Sequence, residues 1–321
     1  MAEQQFVLAV CDAGEVFSIA ERRFANDAAG IRQLRRLLST LGALRVCLEP
    51  TSRYHLALLD VLSALKQVSC HLAPPLAVHH FAQACGRGAK TDPLDARNLA
   101  RFVLHCAPPA YQPPPAQALR LRAITRRVAA LIAQRTAELN RLHCAKRGGD
   151  PPAVKASVQR HIRQLGDEIA RLEQAALAEV HGSPRLADCY AWLIAMKGIG
   201  QRSALALLGE LAVLPATLSK RQWVALAGLD PQPRESGSSL NPPRHISRRG
   251  NSALRRALYM PALVISQRSG PGRAYYQDLL ARGKRPLVAL TALLRKLLTA
   301  IWGMFNSHTA FDPARFYHCS A

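Results

Sequence analysis

A change of hydrophobic period at Tyr111-Gln112-Pro113-Pro114-Pro115 constrains the fold of this chain more than any other feature. Before it, apolar residues come in short β-branched runs separated by amphipathic stretches. After it, they recur every three or four residues along two long segments. Phe6-Val7-Leu8-Ala9-Val10-Cys11 and Val16-Phe17-Ser18-Ile19-Ala20 flank a turn at Ala13-Gly14 and predict a hairpin. Asp27 to Leu41 reads as an amphipathic helix, Leu44 to Leu48 as a strand, residues 54 to 65 as a helix, Val68 to Leu72 as a strand and 75 to 84 as a helix. This β-β-α-β-α-β-α order predicts an α/β sheet covered by helices in a domain over 1–110.

The second region, 111–185, carries one stripe at Leu121, Ile124, Val128, Leu131, Arg135 and Leu139 and another at Val158, Ile162, Leu165, Ile169, Leu172 and Ala176. Gly148-Gly149-Asp150-Pro151-Pro152 separates them, so the pattern predicts an antiparallel helical hairpin with coiled-coil spacing. The same stripe serves either packing within the hairpin or self-association. Residues 186–321 form a third, mainly helical region.

Charge separates the regions further. The 321 residues hold 43 Lys and Arg against 21 Asp and Glu, a net charge of +22. Residues 1–110 carry 12 basic and 9 acidic side chains, whereas 111–321 carry 31 and 12, so nearly all the excess lies downstream. Such a chain is built for a polyanion, and nucleic acid is the natural one. Membrane is the competing polyanion, but the sequence offers no apolar stretch approaching a span and no leader pattern, which points to the cytoplasm. Eight dispersed cysteines without C-x-x-C spacing read as reduced, mostly buried thiols, and His79, His80 and Cys85 as a chance cluster rather than a metal site.

In so basic a chain, carboxylates at element ends stand out. Asp12 ends the first strand, Glu49 ends the strand at 44–48, and Asp92 and Asp95 lie in Lys90-Thr91-Asp92-Pro93-Leu94-Asp95-Ala96. Open α/β sheets place their sites at the carboxyl ends of strands, and hard divalent cations prefer carboxylate oxygen. Asp92 and Asp95 would share a helix face, yet Asp92 before proline also reads as an N-cap, and Asp95 as a charge favoured by the positive helix end. Lys90 reads equally as a phosphate contact or as a solvated surface charge.

Downstream, Gly198-Ile199-Gly200 between two helical segments reads as a helix-hairpin-helix turn, whose backbone N–H groups could take a phosphate, or as an ordinary tight turn. Glu235-Ser236-Gly237-Ser238-Ser239 follows in a Gly/Ser loop, with Arg234, Arg244, Arg248, Arg249, Arg255 and Arg256 around it in sequence. A serine becomes a nucleophile only beside a base, a metal or dense positive charge; otherwise such a loop is plain surface.

Taken together with Ala227-Gly228-Leu229-Asp230-Pro231 and Leu254-Arg255-Arg256-Ala257-Leu258-Tyr259, these motifs in this order resemble the IS one-ten family of insertion-sequence transposases along nearly the whole chain. The resemblance implies an RNase H-like (RuvC-like) N-terminal domain with a DEDD metal site at Asp12, Glu49, Asp92 and Asp95, a coiled-coil hairpin, and a C-terminal transposase domain with Ser236 as nucleophile. It implies Mg²⁺ or Mn²⁺ as cofactor and donor and target DNA as substrates. A guide (bridge) RNA from the element and a homo-oligomer, dimer or tetramer, are its implied partners, in a bacterial, nucleoid-associated setting. The chain departs from the family at Val10-Cys11-Asp12, where a glycine usually precedes, and at Glu49-Pro50-Thr51-Ser52-Arg53-Tyr54, which lacks the usual alanine and glycine. The rival reading is a RuvC-type nuclease or junction resolvase, with the same acids but water as nucleophile.

Overall fold

Each of the four segments before residue 73 that the sequence marks as a strand becomes one, and the strands pair in twos. The computed structural model describes residues 4–50, 55–86, 91–232 and 245–317. β1 (Gln5–Cys11) and β2 (Phe17–Ala25) form the antiparallel hairpin, with Phe6 stacked on Phe24 at 5.5 Å. α1 (Ala28–Ser39) begins where the Asp27 carboxylate accepts from the N–H of Gly30 at 2.8 Å, and it buries Ile31, Leu34 and Leu38. A Cβ on Gly30 would lie 2.0 Å from the carbonyl oxygen of Ala25, so only glycine lets this helix start hard against the end of β2.

β3 (Leu44–Leu48), α2 (Leu56–Ser63) and β4 (Val68–Leu72) form a strand-helix-strand unit whose strands run parallel, Leu44 opposite Val68 through Leu48 opposite Leu72. α3 (Pro75–Ala84) and α4 (Asp92–Cys106) follow. The element order agrees with the sequence pattern. The single sheet does not: among the described residues β1–β2 and β3–β4 are separate two-stranded ladders. α4 packs on β1, β2 and β3 and spans the two ladders. Two cavities of about 320 Å³ each are lined by residues of β1, β3 and α4 together. The register of β1 shifts between Leu8 and Val10 and again between Val10 and Cys11, and bulges of this kind bend a strand away from regular pairing. After α4 the chain returns along β4: Tyr111 N–H donates to Cys70 O at 2.6 Å, and buried His71 bonds Pro108 O through Nδ1 at 2.6 Å.

The chain divides into two compact units, residues 1–113 and 114–321. In the second, α5 (Ala116–Arg147) and α6 (Pro152–His181) form the helical hairpin, closed on itself through Val128, Leu131, Leu165 and Ile169. The second stripe lies on the seam as expected. The first departs from it: Arg135 and Leu139 are exposed, while Ile132, Glu138, Leu142 and Ala145 take the inward positions. A 3.6-residue turn drifts from a 3.5-residue repeat, and over α5 the drift moves the seam.

Short helices complete the unit: α7 (Pro184–Ala195), α8 (Gln201–Leu211), α9 (Lys220–Leu226), the two-residue strands β5 (Pro231–Gln232) and β6 (His245–Ile246), α10 (Ser252–Gln267), α11 (Pro271–Ala281), α12 (Pro286–Ser307) and α13 (Pro313–Phe316). Contrary to the sequence reading, α12 is long and apolar enough to cross a membrane, with a mean hydropathy of 1.5 over its best window. It is instead the helix around which this unit condenses. Leu293, Leu297, Leu298 and Ile301 are fully buried against Leu193, Leu207, Leu208, Leu254 and Leu258. The cysteines also differ from expectation: Cys70 and Cys189 are buried, but Cys85, Cys106 and Cys144 are exposed.

One charge sits inside this apolar core. Glu210 of α8, 3% exposed, receives Arg126 of α5 in a fork, Nε at 2.7 Å and Nη2 at 2.9 Å, and Asn251 Nδ2 at 2.6 Å. Asn251 is the N-cap of α10, its Oδ1 accepting from Ala253 and Leu254. Three helices are thus tied at one carboxylate. Burial raises the pKa of Glu210, but hydrogen bonds from Arg126 and Asn251, with the charges of Arg126 and Arg122, outweigh it and hold the carboxyl below its usual range.

Candidate functional site

The acids of the first unit stand where the strands end. Asp12 follows β1 and Glu49 follows β3. Asp12 Oδ1 accepts from the N–H groups of Gly14 and Val16, both at 2.9 Å, which fixes the hairpin turn and leaves Oδ2 outside that turn. Asp92 is not the N-cap that the sequence suggested. Thr91 caps α4, its Oγ1 facing Leu94 N–H at 3.5 Å, and Pro93 falls in the second helical position. Neither the Asp92 nor the Asp95 carboxylate has a hydrogen bond or ion pair among the described residues, and both sit in the first turn, where the helix dipole favours negative charge.

Glu49, Asp92 and Asp95 line one of the cavities between β1, β3 and α4, and Asp12 lines the other. Four hard oxygen donors match the chemistry of Mg²⁺. Among the described residues, however, no three His, Cys, Asp or Glu side chains are placed to share one ion. The donor types fit a divalent metal, while the coordination sphere is not preassembled.

A brace that the sequence reading missed ties the Asp12 turn to the acid-bearing helix. Glu15, at φ 62, accepts from Arg101 Nε at 2.7 Å through Oε2 and meets His105 Nε2 at 2.6 Å through Oε1. Arg101 also lies 4.8 Å from the centroid of the Phe17 ring, and Arg97 Nε donates to Ala20 O at 3.1 Å. Arg97, Arg101 and His105 are spaced four apart, so one face of α4 grips the hairpin. That spacing was visible in the sequence; its partner was not. The hydrogen bonds from His105, then Arg101, hold the Glu15 carboxyl below its usual range. A group depressed in this way contributes above its unfolded pKa and is lost as pH falls through the lower folded value. Glu15→Ala is therefore expected to leave Tm nearly unchanged, because exposed pairs contribute little, but to quicken amide exchange at Gly14 and Val16. Unchanged protection of those two amides would show that the brace does not hold the turn.

In the second unit, the described residues on either side of the proposed serine in sequence pair with each other. β5 and β6 pair antiparallel, Pro231 with Ile246 and Gln232 with His245. Asp230 accepts from Gln232 Nε2 at 2.7 Å and from the Ser247 hydroxyl, and Ser247 N–H returns to Asp230 O at 2.9 Å. Gly228, at φ +62, and Gly250 pack backbone to backbone: a Cβ on Gly250 would lie 2.2 Å from Leu226 O and 2.4 Å from Gly228 N. Arg255 Nη1 donates to Ala227 O at 2.8 Å and to Gly250 O at 3.1 Å. It is a tie across this junction rather than a free cation, whereas Arg248, Arg249 and Arg256 are exposed. Ser236, Arg234 and Arg244 lie outside the described residues, as does Lys90.

The turn between α7 and α8 is tightly built. Gly198 takes φ +109, and a Cβ there would meet Ile265 Cγ1 at 2.6 Å. Ile199 is buried, and Gly200 caps α8 with open space where a Cβ would stand. Arg202 in the first turn is held by Glu173 of α6, so the groups left for an anion there are backbone N–H and exposed Lys197.

Two family descriptions match the chain. Residues 1–145 match the DEDD transposase domain of IS110, and residues 190–277 match "Transposase IS116/IS110/IS902 family". The "Pilin gene-inverting protein" of Moraxella bovis is 27% identical over 297 residues, covering 90% of this chain and 89% of that protein. The y4rJ protein of Sinorhizobium fredii (strain NBRC 101917 / NGR234), a transposase by name, is 30% identical over 284 residues, covering 71% of this chain and 69% of that protein. The IS110 insertion-element 43.6 kDa protein of Streptomyces coelicolor is 30% identical over 120 residues, 37% of this chain and 29% of its own. With a mixed α/β unit carrying the acids and a helical unit carrying the serine segment, this chain belongs to the IS110 family of insertion-sequence transposases.

Proposed function

We propose that this transposase cuts and rejoins donor and target DNA through a covalent phosphoserine at Ser236. Its Oγ forms the new bond to phosphorus, the bond from phosphorus to the departing DNA oxygen breaks, and the serine proton ends on that oxygen. Strand exchange is the reverse step with a different DNA end, so the phosphodiester energy is conserved. Asp12, Glu49, Asp92 and Asp95 would hold Mg²⁺ or Mn²⁺, which when bound supplies Lewis-acid polarisation of the scissile phosphate. Arg248, Arg249 and Arg256, with Arg234 and Arg244 from the serine segment, offset charge on the phosphoryl oxygens. Gly198, Ile199 and Gly200 contact DNA backbone without sequence preference, and Lys90 adds a phosphate contact beside the acids. An RNA from the element supplies sequence specificity by pairing, and a dimer or tetramer carries the two DNA partners together.

The observation that carries this reading is the capping of α4 by Thr91, which leaves the Asp92 and Asp95 carboxylates on the cavity that Glu49 also lines, without a hydrogen bond or ion pair among the described residues. A relative whose name assigns it the inversion of a gene supports rejoining over cutting alone, because inversion requires new joints. The test is recombination between donor and target DNA with co-purified RNA, in Mg²⁺ or EDTA, comparing wild type with Ser236→Ala. A protein–DNA adduct is expected in wild type and none in the variant, with binding retained. Cleavage by Ser236→Ala at the wild-type rate would instead identify a metal-dependent nuclease that uses water.

A further inference from the structure

Beside the α7–α8 turn lies a groove of about 630 Å³ to which nothing above assigns a role. Its floor and walls are apolar: Met196 and Phe316 are buried, Ile265 is half-buried, and Phe311 meets Phe316 edge to face at 5.6 Å. Its rim carries Lys197 and Arg268, both exposed and neither paired with a carboxylate among the described residues. Among the described residues no carboxylate side chain lines it; neighbouring Asp312 is engaged with Arg315 and the N–H of Ala314. Gly270, at φ +139 and with open space where a Cβ would stand, exposes backbone at the start of α11. The lining thus combines an aromatic wall with unneutralised cations and a close backbone approach, and Lys197 adjoins the turn assigned above to DNA phosphate.

An acidic peptide would satisfy the cations but gains little from the aromatic wall that Phe311 presents. A duplex would satisfy them too, yet its stacked bases cannot enter a groove. A nucleotide released from its stack meets both demands, with its base on Phe311 and its phosphate on the rim. We propose that this groove receives an unpaired DNA nucleotide, its base against the half-buried Phe311, which buried Phe316 supports edge to face, and its phosphate on Lys197 and Arg268. Strand transfer exposes unpaired bases at the exchanging ends, and a groove of this kind would hold one out of the duplex while partners change. The strands that open during transfer are DNA, which favours DNA over RNA as the occupant.

The proposal rests on the DNA-contact reading of the α7–α8 turn, and the experiment separates the two. Full-length protein is titrated into a duplex containing 2-aminopurine either paired or in a one-nucleotide gap, and into an RNA strand of the same sequence. Tighter binding of the gapped DNA with a change in 2-aminopurine fluorescence is expected. Phe311→Leu and, independently, Arg268→Ala should each weaken gapped binding by about tenfold while paired-duplex binding shifts far less. Gly200→Asp, which places a negative charge at the α8 start, should weaken both DNAs alike. If Gly200→Asp changes nothing while the groove variants still act, the turn assignment fails and the groove stands. Equal losses for gapped and paired DNA, unchanged fluorescence, or an RNA affinity with the same dependence on Phe311 would overturn the groove.

Discussion

Asp12→Asn is expected to keep its fold and its DNA affinity while recombination falls about a thousandfold. The reason lies in the two oxygens of one side chain. Oδ1 accepts from Gly14 and Val16, and an asparagine carbonyl reproduces that turn; the negative charge and the second oxygen, which a metal requires, are gone. A Lewis acid contributes several kcal/mol of charge stabilisation in phosphoryl chemistry, and each 1.4 kcal/mol is about a factor of ten. Asp12→Ala would mix this loss with a loosened hairpin, so the amide is the clean test. Thermal melts, gel shifts and a recombination assay in parallel read the three quantities. Recombination within tenfold of wild type would remove Asp12 from the chemistry.

The largest stability effect is expected at Arg126. Arg126→Met strips the buried Glu210 carboxylate of its guanidinium fork and leaves it the Asn251 hydrogen bond and the nearby charge of Arg122. Breaking a buried pair from one side costs about 3–5 kcal/mol, and because Arg126 is half-exposed the lower end, about 3 kcal/mol, applies. Glu210→Gln is milder, about 1 kcal/mol, since the freed guanidinium is hydrated and an oxygen still serves Asn251. The pH dependence carries the sign. In the wild type, the depressed Glu210 contributes fully above its unfolded pKa, and the contribution is lost as pH falls through the lower folded value. In Arg126→Met, burial dominates and raises the same group. That penalty is present at neutral pH and disappears as pH falls through the raised value toward the unfolded one. Urea midpoints of the two proteins should converge on acidification from neutral to the ordinary glutamate range. A gap independent of pH would mean that Glu210 is not the group left stranded.

What was legible in the sequence followed from period and punctuation. The short β-branched runs became strands, the helix at 75–84 has the bounds its pattern suggested, and the Gly-Gly-Asp-Pro-Pro break separates α5 from α6. Pairing was less legible. Apolar runs reveal strands but not whether a bulged β1 will join β3, and the two ladders differ from the single sheet for that reason. The capping of α4 turned on a choice between adjacent residues, Thr91 and Asp92, both good caps before a proline; one residue of frame changed the meaning of two carboxylates. Glu210 is the one charge in Ala204–Leu211. Its partners lie 84 and 41 residues away, and no local pattern reaches that far. The Glu15 brace was half visible, in the four-residue spacing on α4, and half hidden, in a turn residue with a left-handed backbone.

Thr91 also bears on how a mobile element ages. With the start of α4 secured by a threonine hydroxyl, substitution of Asp92 or Asp95 removes charge without removing a helix. On the role proposed for these acids, a copy that has lost either one would not be cleared by misfolding; it would persist as a folded protein competing for the DNA its active siblings need. In a genome carrying several copies, inactivation at these two positions would dampen transposition by competition rather than by absence.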